Sequence, residues 1–463
     1  MQGVQLAELL VQSPPGAGEA LDVVAGFDAA LANGLARLSP RHTEALDALA
    51  GAVGASPLGT AVADASGKLA AGSIGVTELS VLAGARAALL GAVHDALLAQ
   101  LDGALGRSRS TWEEAPADGE PVPANLLAGG RAWLQELAIA GWRGVNDALV
   151  SAADQALEAL WAEPRLRRVA VLLDGLAAEL RASCPVATME KVPERRWADL
   201  WTRAVLLSHS GSWTGGASVA SGRLLPLGVD VQEHGTAVQA QLHAVLEPKG
   251  EGPVRLVRVA VAAAKVDTIL GPSLWQLLSA YPTLLAALAE HRAVDITDMS
   301  LTAGGDLLWD EERAEAGETA DPFATARVRL PGAEAPAVAP LDRHPVRVAE
   351  PVLVEGYTAK RDGTFDLNGE TLAVDLDRLP LSGPLTPQLV GASTACIGLL
   401  RWDAGQWTLQ PLALQSSVKK QPVEAHNGDW ALGPTDPKVV KAQARSGDAV
   451  AVLTERAGRL LRK

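Results

Sequence analysis

Glu194 to Trp213 reads ERRWADLWTRAVLLSHSGSW, and the periodicity of the chain changes across it. Pro193 and Glu194 suit a helix start, because proline gives up only an N–H that the first turn leaves unpaired. Trp197, Leu200, Trp201, Ala204 and Ser208 then recur at helical spacing, which puts two indoles on one face. The run Ser208-His209-Ser210-Gly211-Ser212-Trp213 ends the helix. Nearly everything before it reads as helix and nearly everything after it as strand. The stretch is therefore expected to be the joint of the molecule, with Trp197 and Trp201 packing the two halves together. Trp213, and Trp112 further upstream, are further interaction candidates.

Upstream, residues 1–105 alternate Ala/Leu-rich runs with Gly and Pro, and Ser39-Pro40 supplies a cap for one of the helices. Leu82, Leu89, Val93, Leu97 and Leu101 form a stripe, beside which His94 reads as a boundary or surface histidine. Residues 106–124 break the pattern with Pro, Gly and charge, so a linker or exposed loop is expected there, carrying Trp112. Residues 125–213 follow as a small bundle of three consecutive helices, of which the joint helix is the last and the first runs unbroken to Glu163-Pro164. Arg165, Arg167 and Arg168 read as a solvated face, with phosphate binding the sharper alternative. Ser13 to Ala20 mimics part of a P-loop. Glu19 and Ala20 stand where that motif needs Lys and Ser/Thr, so a phosphate would be repelled.

Downstream the period becomes two. Residues 214–330 are expected to form an antiparallel sheet with a packed helix, Gly271 to His291, broken at Pro282. His243 falls on the polar face of its strand, and Asp310 to Asp321 reads as an acidic exposed turn ahead of a strand at 324–330. Residues 331–345 are Pro/Ala-rich and read as a linker. The remainder, 346–463, suggests a small β barrel or sandwich with a terminal helix, because Asp362-Gly363, Asn368-Gly369 and Asp403 to Gln406 are hairpin turns and Asp436-Pro437 is a helix start. Trp402, Trp407 and Trp430 read as core or rim, with base stacking the alternative. The fold class is thus multidomain α+β.

The 463 residues exceed what one core supports, and 48% hydrophobic with 20% charged residues fits a globular chain. A net charge of −14 disfavours nucleic acid. Cys184 and Cys396 are too few and too far apart for a disulfide framework or a cysteine-based zinc site. The first residues carry no basic leader, and no run reaches the roughly 18 apolar residues of a membrane span, so a cytoplasmic protein without membrane partners is expected. No metal or cofactor motif is found. The single local nucleophile candidate is Ser208, His209, Ser210 and Ser212, against which stands a helix end finished by small polar residues.

The segment ERRWADLWTRAVLL, joining an Ala-rich helical region to β domains, resembles uncharacterised bacterial proteins encoded near MoxR-type AAA ATPases and SWIM zinc-finger proteins. That resemblance implies an accessory component of an ATPase-linked multi-protein system and transfers no catalytic residues. The leading expectation is a non-catalytic scaffold or adaptor whose partners are other proteins, an AAA ATPase among them. The alternatives are an enzyme using a cleft near His209 and a nucleic-acid-binding module in the C-terminal β domain.

Overall fold

The computed structural model describes residues 3–11, 13–114, 124–210, 216–360, 362–418, 421–446 and 450–452. Trp213, Ser212 and the end of the terminal helix lie outside the described residues. Ten helices come first: α1 Gly3–Val11, α2 Ala17–Asn33, α3 Pro40–Ala52, α4 Gly59–Ala70, α5 Val76–Leu105, α6 Ala124–Ala140, α7 Asp147–Ser151, α8 Asp154–Ala162, α9 Arg167–Ser183 and α10 Glu194–Ser210. Ser39 caps α3 by accepting from His42 N at 3.3 Å, as its position before Pro40 suggests.

The helix expected to run from 125 to Pro164 is broken at Gly141, whose φ of 69° is left-handed. A Cβ there would sit 2.2 Å from Gly34 N, and Leu35 N donates to Ala138 O at 2.8 Å. Two backbones touch at this point, so the chain must turn, and only glycine fits both sides. Apolar spacing alone could not reveal that approach.

The helices on both sides of residues 106–124 share one core. It contains Phe27, Leu82, Leu137, Leu176, Trp197 and Trp201. The two indoles are thus packed inside the helical region and do not weld it to the β half. Trp201 Nε1 donates to Leu134 O at 2.9 Å, and Trp197 Nε1 donates to Glu179 at 3.0 Å while meeting Trp142 edge-on at 6.1 Å. The helical stripe that makes α10 amphipathic faces α5, α6 and α9. It buries two of the largest apolar surfaces the chain owns. Where α10 reaches past the helical region it does so with polar side chains, Arg203 pairing with Asp342 at 3.1 Å.

α5 is the one described helix long and apolar enough to cross a membrane by length and composition. Its first half, Leu79, Leu82 and Ala85, belongs to the helical core. Its second half, Val93, Leu97 and Leu101, packs with α1 residues Leu6 and Leu9 on a β-sheet.

The β half begins with β1 Ala217–Glu233, β2 Ala237–Pro248 and β3 Arg255–Ala264, then α11 Leu274–Leu277 and α12 Pro282–Ala289, β4 Arg292–Thr302, β5 Asp306–Leu308, β6 Ala314–Thr319 and α13 Pro322–Val328. Pro282 does divide the expected helix. The strands run β1-β2-β3-β5-β4-β6, and β1 also pairs with β4, which closes a ring. The closed ring thus lies in the central sheet, which was expected only as an antiparallel sheet. The sheet is mixed, since Arg258 and Val259 of β3 pair in parallel with Asp306 and Leu307. Two local expectations fail here. The acidic stretch 310–321 contains β6, paired with β4. The strand expected at 324–330 is α13, because Asp321 Oδ1 accepts from Phe323 N and Ala324 N and Pro322 occupies the first turn.

The second sheet comprises β7 Ala349–Glu355, β8 Thr358–Ala359, β9 Thr364–Leu367, β10 Glu370–Val374, then α14 Pro387–Val390, β11 Ser393–Asp403, β12 Gln406–Val418 and β13 Gln421–His426, followed by α15 Pro437–Ser446. Its order is β7-β11-β12-β10-β9-β8, with β13 beside β12. All three expected turns join antiparallel strands, with Gly363 at φ 81°, Asn368-Gly369 at 57° and 99° and Ala404-Gly405 at 48° and 82°. Trp402 and Trp407 face each other across the last of these hairpins, 5.2 Å apart and buried.

One face of this sheet carries α1 and α5. The other packs on the ring through Leu225, Leu227, Phe323, Leu353, Ile397 and Ala413. The approach is close at Gly228, where a Cβ would lie 2.7 Å from Leu412 Cβ. The Pro/Ala-rich segment at 331–345 lies in this layer and is no free tether. Ala335 is fully buried and bridges Arg109, while Glu334 bridges Arg255. Small side chains let its backbone approach both neighbours.

Candidate functional sites

The Ser/His run at the end of α10 does not form a nucleophile–base pair. Ser208 Oγ donates to Val205 O at 2.7 Å, and His209 Nδ1 lies 3.0 Å from the same oxygen. A nitrogen that donates to a carbonyl cannot take the serine proton, although the two atoms are 3.3 Å apart. Among the described residues no carboxylate pairs with His209. The space beside it is only about 10 Å³. Ser210 is placed by its backbone alone, as the last residue of α10.

A much larger cleft, of about 640 Å³, opens where the helical region, the ring and the second sheet meet. Its polar walls come from Arg109, Arg168, Arg258, Arg347 and Arg401 together with the carboxylates Asp306, Asp342 and Glu350, and Trp112 is among the lining residues. Each guanidinium with an identified partner is braced from within. Arg109 pairs with Asp102 at 2.7 Å and Glu350 at 3.2 Å. Arg258 pairs with Asp306 at 3.0 Å, and Arg347 with Asp342 at 2.9 Å. Arg401 reaches Asp230 on the ring at 3.2 Å, where Gln410 Nε2 also donates at 2.7 Å. Burial would raise the Glu350 carboxyl, but Arg109 and Arg107 beside it hold it below its ordinary value. Preset cations in a cleft suit recognition of an anion, since bidentate donors need not be ordered on binding.

Two histidines expected at a boundary or in solvent, His94 and His243, are buried, and so is His344. His94, expected at a boundary, is 2% exposed and lies 3.0 Å from Asp95. His243, expected in solvent, is also 2% exposed, and burial depresses its pKa to about 3. His344, 3.9 Å from Asp199, is pushed to about 4, again chiefly by burial. The alternation that put His243 on a polar face was correct, but the second sheet covers that face.

A second polar constellation sits at the seam between the two sheets. His291, between α12 and β4, holds a left-handed φ of 50° and its Nε2 donates to Asp429 Oδ1 at 2.8 Å. His426, the last residue of β13, gives its Nε2 hydrogen to Glu424 Oε1 at 2.8 Å, and its backbone N–H to Asp429 Oδ2 at 2.9 Å. The imidazole centroids are 4.2 Å apart, and Phe323 stands edge-on to His426 at 5.7 Å. The hydrogen bond to Asp429 raises the pKa of His291, and that from His426 lowers the pKa of Glu424. No spacing rule could find this group, because its members come from two sheets.

No protein-family model, curated protein or solved structure matches the chain.

Proposed function

We propose that the chain is a non-catalytic scaffold or adaptor of a bacterial multi-protein system, acting in the cytoplasm, and that its cleft receives an acidic segment of a partner protein. The resemblance carried by α10 makes an AAA ATPase the first partner to test. The cleft is the observation that carries this reading: its walls come from the helical region and both sheets, and braced guanidiniums supply its charge. A carboxylate-bearing segment laid there would touch every part of the molecule at once, as an adaptor requires. The stacking alternative loses support, since Trp402 and Trp407 spend their faces on each other and on the core.

The test is copurification of the tagged chain with the neighbouring ATPase from the native host, beside an Arg168→Glu/Arg347→Glu double variant. We expect the wild type to retain the ATPase and the double variant to lose it at least about tenfold, with an unchanged melting temperature. Equal retention by both chains, or retention by neither, sinks the proposal.

A further inference from the structure

The seam between the sheets holds a donor set that the scaffold role does not use. We infer that His291, His426 and Glu424 form a binding site for one divalent transition-metal ion of the zinc class, with Asp429 as the carboxylate that orients the first histidine. One donor atom from each of the three residues lies within 4.8 Å of the others. Zinc bonds of about 2.0–2.1 Å set tetrahedral donors roughly 3.3 Å apart, so closure asks for a contraction of about 1 Å or somewhat more. Glu424 Oε1 and His426 Nε2 are already 2.8 Å apart, so most of the movement falls to His291, whose side chain is 30% exposed.

The surroundings resemble those of metal centres in three respects. Asp429 accepts from His291 Nε2, which leaves Nδ1 as that ring's donor and fixes its orientation. The same carboxylate grips the His426 backbone, so one outer group positions both histidines. Phe323 forms an apolar wall on one side and Glu424 faces solvent on the other, giving a dry back and an accessible front. His291 keeps its imidazole at a left-handed backbone position that glycine or asparagine would hold at lower cost. Two imidazoles and a carboxylate select borderline ions over calcium or magnesium, which prefer all-oxygen shells. A bound ion would tie β4 of the ring to β13 of the second sheet.

The experiment is calorimetric titration of the chelator-stripped full chain with zinc chloride, repeated with cobalt chloride to read the visible absorption of the bound ion. Wild type is expected to take one zinc per chain. Glu424→Gln and His291→Asn, both compatible with the backbone at their positions, should each weaken binding at least about tenfold, and Asp429→Asn about 10–100-fold. Circular dichroism of the metal-free variants shows whether they fold as wild type does. Absence of stoichiometric zinc, or equal affinity in folded wild type and all three folded variants, overturns the inference, the latter because the ion then sits elsewhere.

Discussion

Ser208 and His209 are neighbours in the chain, whereas His291 and Asp429 lie 138 residues apart. The adjacent pair turns both polar groups onto one carbonyl of its own helix, Val205 O, and is chemically quiet. The distant pair sets an imidazole against a carboxylate, with a second imidazole 4.2 Å away. A helix gives its side chains carbonyls of the preceding turn as partners, and serine takes that offer readily. A seam between two sheets offers side chains of another element. The contrast shows that closeness in sequence measures local hydrogen bonding, while chemistry depends on what the fold brings across.

The largest effect that could break this contrast concerns α10. If its role is packing, Trp201→Ala should cost about 3–5 kcal/mol in denaturant unfolding, as deletions of buried aromatics do. A loss below about 1 kcal/mol would mean that the helix is kept for something other than its core.

Acid titration sharpens the contrast next. His243 and His344 are neutral in the folded chain, with pKa values near 3 and 4, and take a proton near 6.5 when unfolded. The unfolded state therefore binds more protons, and stability falls as pH drops from about 6.5 towards 4, by roughly 3 kcal/mol per histidine. The quantity to read is the difference in slope between wild type and His243→Gln or His344→Gln, since His291, whose pKa is raised, acts in the opposite sense. Parallel slopes would show that these two histidines are solvated. At the small end, His209→Ala should change stability by no more than about 0.5 kcal/mol, measured by the same unfolding experiment.

How much of this was legible follows from what each signal depends on. The change from helical to strand period is read near residue 213, and the described residues pass from α10, ending at Ser210, to β1, starting at Ala217, because amphipathic period reports burial of one face. Hairpin turns were legible because left-handed backbone positions demand particular residues. Asp436-Pro437 was read as a helix start and Asp321-Pro322 was not, although both make the same cap, with Asp436 Oδ1 accepting from Lys438 N at 2.7 Å. The acidic residues up to Asp321 favour a turn and the residues 324–330 after it a strand, which hides that start. The break at Gly141, the burial of His243 and the 331–345 packing were out of reach, since each depends on a distant element. The seam histidines belong to the same class, and so does the arginine cleft.

The hydrogen bond from Arg107 to Pro351 spans 244 residues. At about 5–20 residues per second, a ribosome needs roughly 12–50 s to make that stretch. For that interval the outer faces of α1 and α5, finished early, have no sheet to cover them: Leu6, Leu9, Val93, Leu97 and Leu101 wait for β7 and everything after it. The helical core can close as soon as α10 emerges, but the molecule then carries an uncovered greasy flank until the last third of the chain is made. Nascent chains stalled between α10 and β7 should accordingly be clients of the host's chaperones, and chains released after β13 should not.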